Sequence, residues 1–166
     1  MLGLRAASTV ALVYAVFVIA GAYRGGTDPL RPLQIASAVE HLPFQRIKSL
    51  ADLTREVQAA KVAGRPVMLD FYADWCVSCK EMEKYTFTDS SVQAALGNTV
   101  LLRADVTKND AQDQALLKHF GIFGPPTIAF YDAGGAEQQN FRVVGYMKAA
   151  EFAALLRKAL EGARPS

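Results

Sequence analysis

Asp70-Phe71-Tyr72-Ala73-Asp74-Trp75-Cys76-Val77-Ser78-Cys79-Lys80 contains the only two cysteines of the chain, three residues apart. The apolar run from Val67 to Tyr72, broken only by Asp70, has the pattern of a strand buried on both faces. Asp70 therefore reads as a buried carboxylate. The residues after the cysteines read as helix, so the pair sits at a strand-to-helix turn, where a Cys-x-x-Cys motif performs redox chemistry. In a first helical turn, side chains three apart share a face, and their Cα atoms fall within the ~4.4–6.8 Å that a disulfide tolerates. A bond closing so short a loop removes little chain entropy, which makes the use of these cysteines chemical rather than structural. Cys76, at the helix N-terminus, is the expected attacking thiol, because unpaired N–H groups and the helix dipole favour a thiolate there. Cys79, one turn inside, is expected to resolve the mixed disulfide.

The 166 residues, 51% of them hydrophobic, suffice for one ordinary domain with a packed core plus extra segments. Eighteen basic side chains against 16 acidic ones give a net charge of +2. No basic block is present to follow a phosphate backbone, so nucleic acid is not an expected partner. Two cysteines fall short of the four ligands of a structural zinc site. The two histidines, His41 and His119, read as a linker residue and a surface or helix-capping residue. No metal is expected, and no cofactor beyond a reversible Cys76–Cys79 disulfide.

Between Arg5 and Arg24 the eighteen residues Ala6–Tyr23 carry no charge. As a helix they extend about 27 Å at ~1.5 Å per residue, just short of the ~30 Å hydrocarbon core. A membrane anchor is one reading of residues 1–24, with Tyr23 and Arg24 at the far interface. A cleavable signal peptide is the other, with Arg5 as its charged region and Ala20-Gly21-Ala22 as its cleavage site. The apolar stretch exceeds the ~7–15 residues usual in signal peptides, which favours the anchor. A buried core helix is a third, weaker fit. Residues 25–43, with Gly25-Gly26-Thr27-Asp28-Pro29 and Pro32, read as a linker.

From residue 44 the chain alternates. Phe44–Lys48 reads as a short strand. Ser49-Leu50-Ala51-Asp52 is a capping box for a helix that runs to Gly64. After the strand Val67–Tyr72 comes a helix to about Phe87, then a second short piece capped by Asp89 or Ser90. Thr99–Ala104 is the next strand, and Asn109 or Asp110 opens a helix that Gly121 ends. Thr127–Tyr131 is a strand, Asp132-Ala133-Gly134-Gly135 a hairpin turn, and Asn140–Val144 the return. Phe152, Leu155, Leu156 and Leu160 mark a final amphipathic helix, and residues 163–166 form a tail. Early βαβ alternation with a late hairpin implies an α/β fold with a mixed central sheet flanked by helices.

The motif Asp70-Phe71-Tyr72-Ala73-Asp74-Trp75-Cys76-x-x-Cys79-Lys80, with Pro126-Thr127 some fifty residues later, resembles the thioredoxin family. Val67–Phe87, Asn109–Asp113 and Leu116–His119 resemble, more narrowly, the C-terminal periplasmic domain of the DsbD thiol:disulfide interchange family. The likeness runs from about His41 to Leu160 and favours a last transmembrane helix before residue 25. The resemblance implies a thioredoxin fold and a protein-disulfide reductase on the periplasmic face of the bacterial inner membrane. Such a protein takes electrons from a membrane donor domain, serves periplasmic thioredoxin-like or disulfide-bonded proteins, and has a place in cytochrome c biogenesis. It further implies that Asp70 lies beneath the cysteine pair and accepts the Cys79 proton, with a structural pairing to a lysine as the rival role. Glu83 would tune Cys76 from the same helix face, against a plain surface role. Pro126, as a cis-proline rather than an ordinary strand-entry proline, would present a client-binding edge with Pro125 and Thr127, while Trp75 reads as an apolar rim beside the thiols, against plain core. Two features depart from the family pattern: Pro125 has no N–H, and the membrane helices and N-terminal domain of such proteins are missing, as in a fragment or a free-standing relative. A free-standing exported thioredoxin acting as oxidant or isomerase, and a client-binding module without turnover, are the alternatives.

Overall fold

The structure, a computed structural model, describes residues 41–161. The expected anchor or signal segment, most of the linker and the tail lie outside the described residues. Among the described residues no helix is long and apolar enough to cross a membrane. In chain order the elements are β1 (Gln45–Ile47), α1 (Leu50–Val62), β2 (Val67–Tyr72), α2 (Val77–Glu81), α3 (Ser90–Leu96), β3 (Val100–Asp105), α4 (Ala111–Phe120), β4 (Thr127–Tyr131), β5 (Val143–Val144) and α5 (Ala149–Glu161). A π-helical turn, Met82–Thr86, continues α2, and a 3-10 turn, Gln139–Phe141, precedes β5.

Local chemistry explains where the helices begin. The first N–H groups of a helix lack intrahelical acceptors, and each capped start supplies one. Ser49 and Asp52 exchange side-chain and backbone bonds in a capping box at α1. Asp110 and Asp113 do the same at α4, which Gly121 ends in the left-handed region at φ 62°. Asp89 caps α3. At α2 the cap is Cys76 itself, whose Sγ accepts the N–H of Cys79 at 3.1 Å.

The five strands lie in the order β1-β3-β2-β4-β5. β1 and β2 run parallel to β3, β4 runs antiparallel to β2, and β5 antiparallel to β4. Side chains alternate across the strands, so each face has its own core. Leu69, Phe71, Leu102 and Ala129 belong to one, with Leu53 and Ala60 of α1 and Leu116 and Phe120 of α4. Met68, Leu101, Ile128 and Phe130 belong to the other, with Met82, Val92 and Leu96, and with Phe152 and Leu156 of α5.

Three expectations shift. The helix after the cysteines is not one continuous α-helix, because the Phe87 N–H reaches back five residues to the Met82 carbonyl. The third strand starts at Val100, one residue later than its β-rich composition suggests, and extends to Asp105. The return after the hairpin pairs only at Val143 and Val144. The Arg142 guanidinium just before them is engaged by Glu137 and by the Phe120 carbonyl at 2.7 Å, which draws this stretch toward the end of α4.

Phe152 has no exposed surface and stands within 5.8 Å of the Phe87 ring and 6.4 Å of the Phe130 ring. Truncation to alanine should cost about 3–5 kcal/mol, read from urea unfolding of the oxidised domain. A loss below about 1 kcal/mol would mean that α5 contributes far less to this core than its packing indicates.

Candidate active site

Cys76 and Cys79 are joined by a disulfide, with S–S 2.06 Å and Cα atoms 5.3 Å apart. Both are buried, whereas their neighbours Trp75 and Val77 are 60% and 72% exposed and form an apolar rim. The loop carrying them is pinned by Thr107 from the segment after β3. Its Oγ1 accepts the Asp74 N–H at 2.9 Å and donates to Asp105, while its carbonyl accepts the Trp75 indole N–H at 3.3 Å. Trp75 is therefore held at the surface rather than in the core.

Antiparallel pairing sets Thr127 opposite Phe71. The residues after β2 and those before β4 thus leave the sheet at the same end. The Pro125–Pro126 peptide bond there is cis. Thr127 Oγ1 donates to the Gly124 carbonyl at 3.0 Å, and the Gly145 N–H donates to the Pro126 carbonyl at 2.9 Å. Phe123, in the same loop, is fully exposed.

Asp70 is buried at mid-strand, with Arg103 of β3 on one side and Ile128 of β4 on the other. Arg103 Nε donates to Asp70 Oδ2 at 2.9 Å. Its Nη2 lies 2.9 Å from the same oxygen, off the line of a hydrogen bond. Nη1 donates to Glu83 Oε1 at 2.6 Å. The guanidinium also lies 4.1 Å from the Phe44 ring centroid and 4.7 Å from that of Tyr72. Burial pushes the Asp70 carboxyl up to about 6; Arg103 opposes this and the Glu83 charge adds to it.

The predicted residues thus fall into three groups. Cys76 and Cys79 are bonded to each other. Asp70 and Glu83 are joined through Arg103, a cation that takes the place of the lysine weighed as the partner of Asp70. Pro125, Pro126 and Thr127 line the adjoining loop. Arg103, Thr107, Phe44 and Phe123 were not singled out by sequence. For Arg103 a signal was present: Asp70 and Arg103 interrupt two apolar strands at the same step, with Val67 opposite Val100. His119 is exposed beside Phe120 and His41 is exposed. Among the described residues, no group of three or more His, Cys, Asp or Glu side chains is placed to hold a metal ion.

A five-stranded mixed sheet with a helix-capping Cys-x-x-Cys pair and a cis-proline before the adjacent strand defines a thioredoxin-fold thiol-disulfide oxidoreductase. The thioredoxin-like domain family matches residues 53–160. The chain is 54% identical over 159 residues to the thiol:disulfide interchange protein DsbD of Ralstonia nicotianae, covering 91% of this chain and 26% of that protein. It is 53% identical over 136 residues to DsbD of Escherichia coli, covering 77% of this chain and 24% of the relative. Among solved structures, the oxidised DsbD C-terminal domain of Neisseria meningitidis matches with 35% identity and a TM-score of 0.59, over 69% of this chain and 99% of that domain. The chain belongs to the thioredoxin-like family and, within it, to the DsbD C-terminal domains. It spans about a quarter of the length of the full DsbD relatives.

A pH dependence follows from Asp70. Its folded value of about 6 exceeds the ordinary 3.8, so between these the folded domain keeps a proton that the unfolded chain has released. Stability from this group is complete below about pH 4, falls as pH rises to about 6 and is flat above. Urea unfolding at a series of pH values should show this slope in the oxidised domain and lose it in Asp70→Asn. An unchanged slope in that variant would remove Asp70 as its source.

Proposed function

We propose that this chain is a membrane-tethered protein-disulfide reductase. It receives two electrons from a membrane partner domain and passes them to periplasmic disulfide-bonded proteins, including thioredoxin-like ones that serve cytochrome c biogenesis. One observation carries the reading: a Cys76–Cys79 disulfide whose first sulfur caps α2.

After reduction, the N–H groups of the first helical turn favour the Cys76 thiolate. That thiolate attacks a client disulfide; one client sulfur leaves and takes a proton, and a mixed disulfide remains. Cys79 then gives its proton to Asp70. The Cys79 thiolate attacks Cys76 Sγ, the second client sulfur leaves, and the Cys76–Cys79 bond forms again. Two electrons have moved to the client. A dithiol of the membrane partner restores the pair by the reverse exchange. The direction of flow follows relative potentials, and the reductive direction is taken from the likeness to the DsbD family.

Tethering is supported by the uncharged segment Ala6–Tyr23. It is supported too by the Ralstonia alignment, whose 91% coverage exceeds what residues 41–166 alone supply. The segment would hold the domain on the periplasmic face of the inner membrane.

Cys79→Ala should accumulate mixed disulfides with clients, resolved on non-reducing gels, and Cys76→Ser should form none and lose turnover. A Cys76→Ser chain that kept its biological activity would point instead to client binding without exchange. Equilibration with glutathione gives the direction: a value near the ~−120 mV of strong oxidants, rather than the ~−270 mV of thioredoxin, would reverse it.

Pro125 has no N–H, so a client strand can receive only its carbonyl bond. Pro125→Leu restores the donor and should tighten client binding by up to about tenfold, the worth of one hydrogen bond. Unchanged affinity in a binding titration would rule out this limit on docking.

A further inference from the structure

One guanidinium faces two carboxylates below the cysteine helix, and the mechanism above uses only one of these acids. Arg103 is 12% exposed at its side chain and is held between the Phe44 and Tyr72 rings. Asp70 is bonded from one side of the fork and Glu83 from the other. A buried cation stripped of its only counter-charge costs several kcal/mol. A proton acceptor that relied on Arg103 alone would therefore be opposed at the moment it became neutral, because the guanidinium would be left uncompensated.

We propose that Arg103 is a positioning residue for proton transfer, its guanidinium shared between two carboxylates, Asp70 and Glu83. With Asp70 ionised, the guanidinium holds both carboxylates and keeps Asp70 available as a base despite its burial. When the Cys79 S–H proton passes to Asp70, leaving a thiolate on sulfur and a neutral carboxyl on Asp70, the ion pair with Glu83 remains and the cation stays balanced. No electron moves in this step, and the proton is returned when the carboxyl ionises again. Glu83 thus acts through Arg103, in addition to any direct effect on the thiols.

The groups facing Asp70 are few. β3 supplies Arg103, which bonds it directly, the turn after α2 supplies Glu83 through that same guanidinium, and β4 offers only the apolar Ile128 opposite. Tyr72 stacks on the guanidinium and donates its hydroxyl to Asp74. The π turn keeps the register of Glu83. Thr86 Oγ1 donates to the Met147 carbonyl at 2.6 Å and the Met147 N–H approaches the Met82 sulfur at 3.3 Å, which locks that turn to the loop before α5.

The inference rests on Asp70 as proton acceptor in disulfide exchange, and its test separates the two ideas. Carboxyl NMR titration of Asp70 in the oxidised full chain requires no turnover. Arg103→Gln should raise the Asp70 midpoint by about one unit or more, the effect of losing an ion in contact. Glu83→Gln should lower it, because a negative neighbour is gone and the cation serves Asp70 alone. Arg103→Lys should fall between Arg103→Gln and the unaltered chain, since it keeps the charge and loses the fork. The pH midpoint of mixed-disulfide resolution, followed in single turnover, should move in the same directions. A purely structural role would lower the unfolding midpoint and leave both titrations in place, and that result overturns the proposal. If Arg103→Gln fails to fold, Glu83→Gln decides, and a midpoint that rises or stays fixed there overturns it equally. Shifts in the NMR titration without a matching shift in resolution would retain the charge sharing and reject Asp70 as the proton acceptor.

Discussion

A carboxylate set between two apolar layers in the middle of a sheet is tolerated only with a counter-charge at contact distance, and the Asp70–Arg103 pair meets that demand. Much of the site depends on this pairing. The parallel register of β2 and β3 must put Asp70 beside Arg103, since a slip of one residue would turn one of the two charges to the opposite face. The same guanidinium reaches across to the turn that continues α2, so the helix carrying Cys79 is tied to the sheet by charge as well as by apolar packing.

Around that pair the fold provides a stiff base and a solvent-facing working edge. The helix cap at Cys76 and the two hooks from Thr107 fix the cysteine loop through hydrogen bonds, in addition to the packing of Ala73, Cys76 and Cys79 into the core. Trp75 and Val77 can therefore stay exposed without the loop losing its shape. Exchange chemistry needs this division, because a client disulfide must reach a sulfur while the resolving sulfur and its proton acceptor stay out of water. The buried Cys79 and Asp70, below an exposed apolar rim, match that need.

What was legible in the residues was local. Cys76 and Cys79 were readable from their spacing, and Asp70 from its interruption of an apolar strand. The caps at Ser49 and Asp110 were readable because a capping box involves residues only three apart. The role of Glu83 is harder to read, because a π turn interrupts the helix on which it lies. That turn is held by Met147, whose bond to Thr86 joins residues 61 apart in sequence, and no local propensity reports such a contact. Arg103 is silent for a related reason: a lone arginine in a β-rich run acquires meaning only when the strand beside it is known.

The sequence by itself determined the redox pair, the strand-to-helix turn that presents it, the order of the elements and the buried acid, because each follows from side-chain period, capping chemistry or spacing over a few residues. The tertiary structure alone decided which cation meets Asp70, that Glu83 shares it, that Thr107 holds Trp75 outward, and that the Pro125–Pro126 loop leaves the sheet at the same end as the cysteines. The physical reason is that a charge or a hydrogen bond acts over a few ångströms of space. Only the register of strands distant in sequence brings those partners within that range.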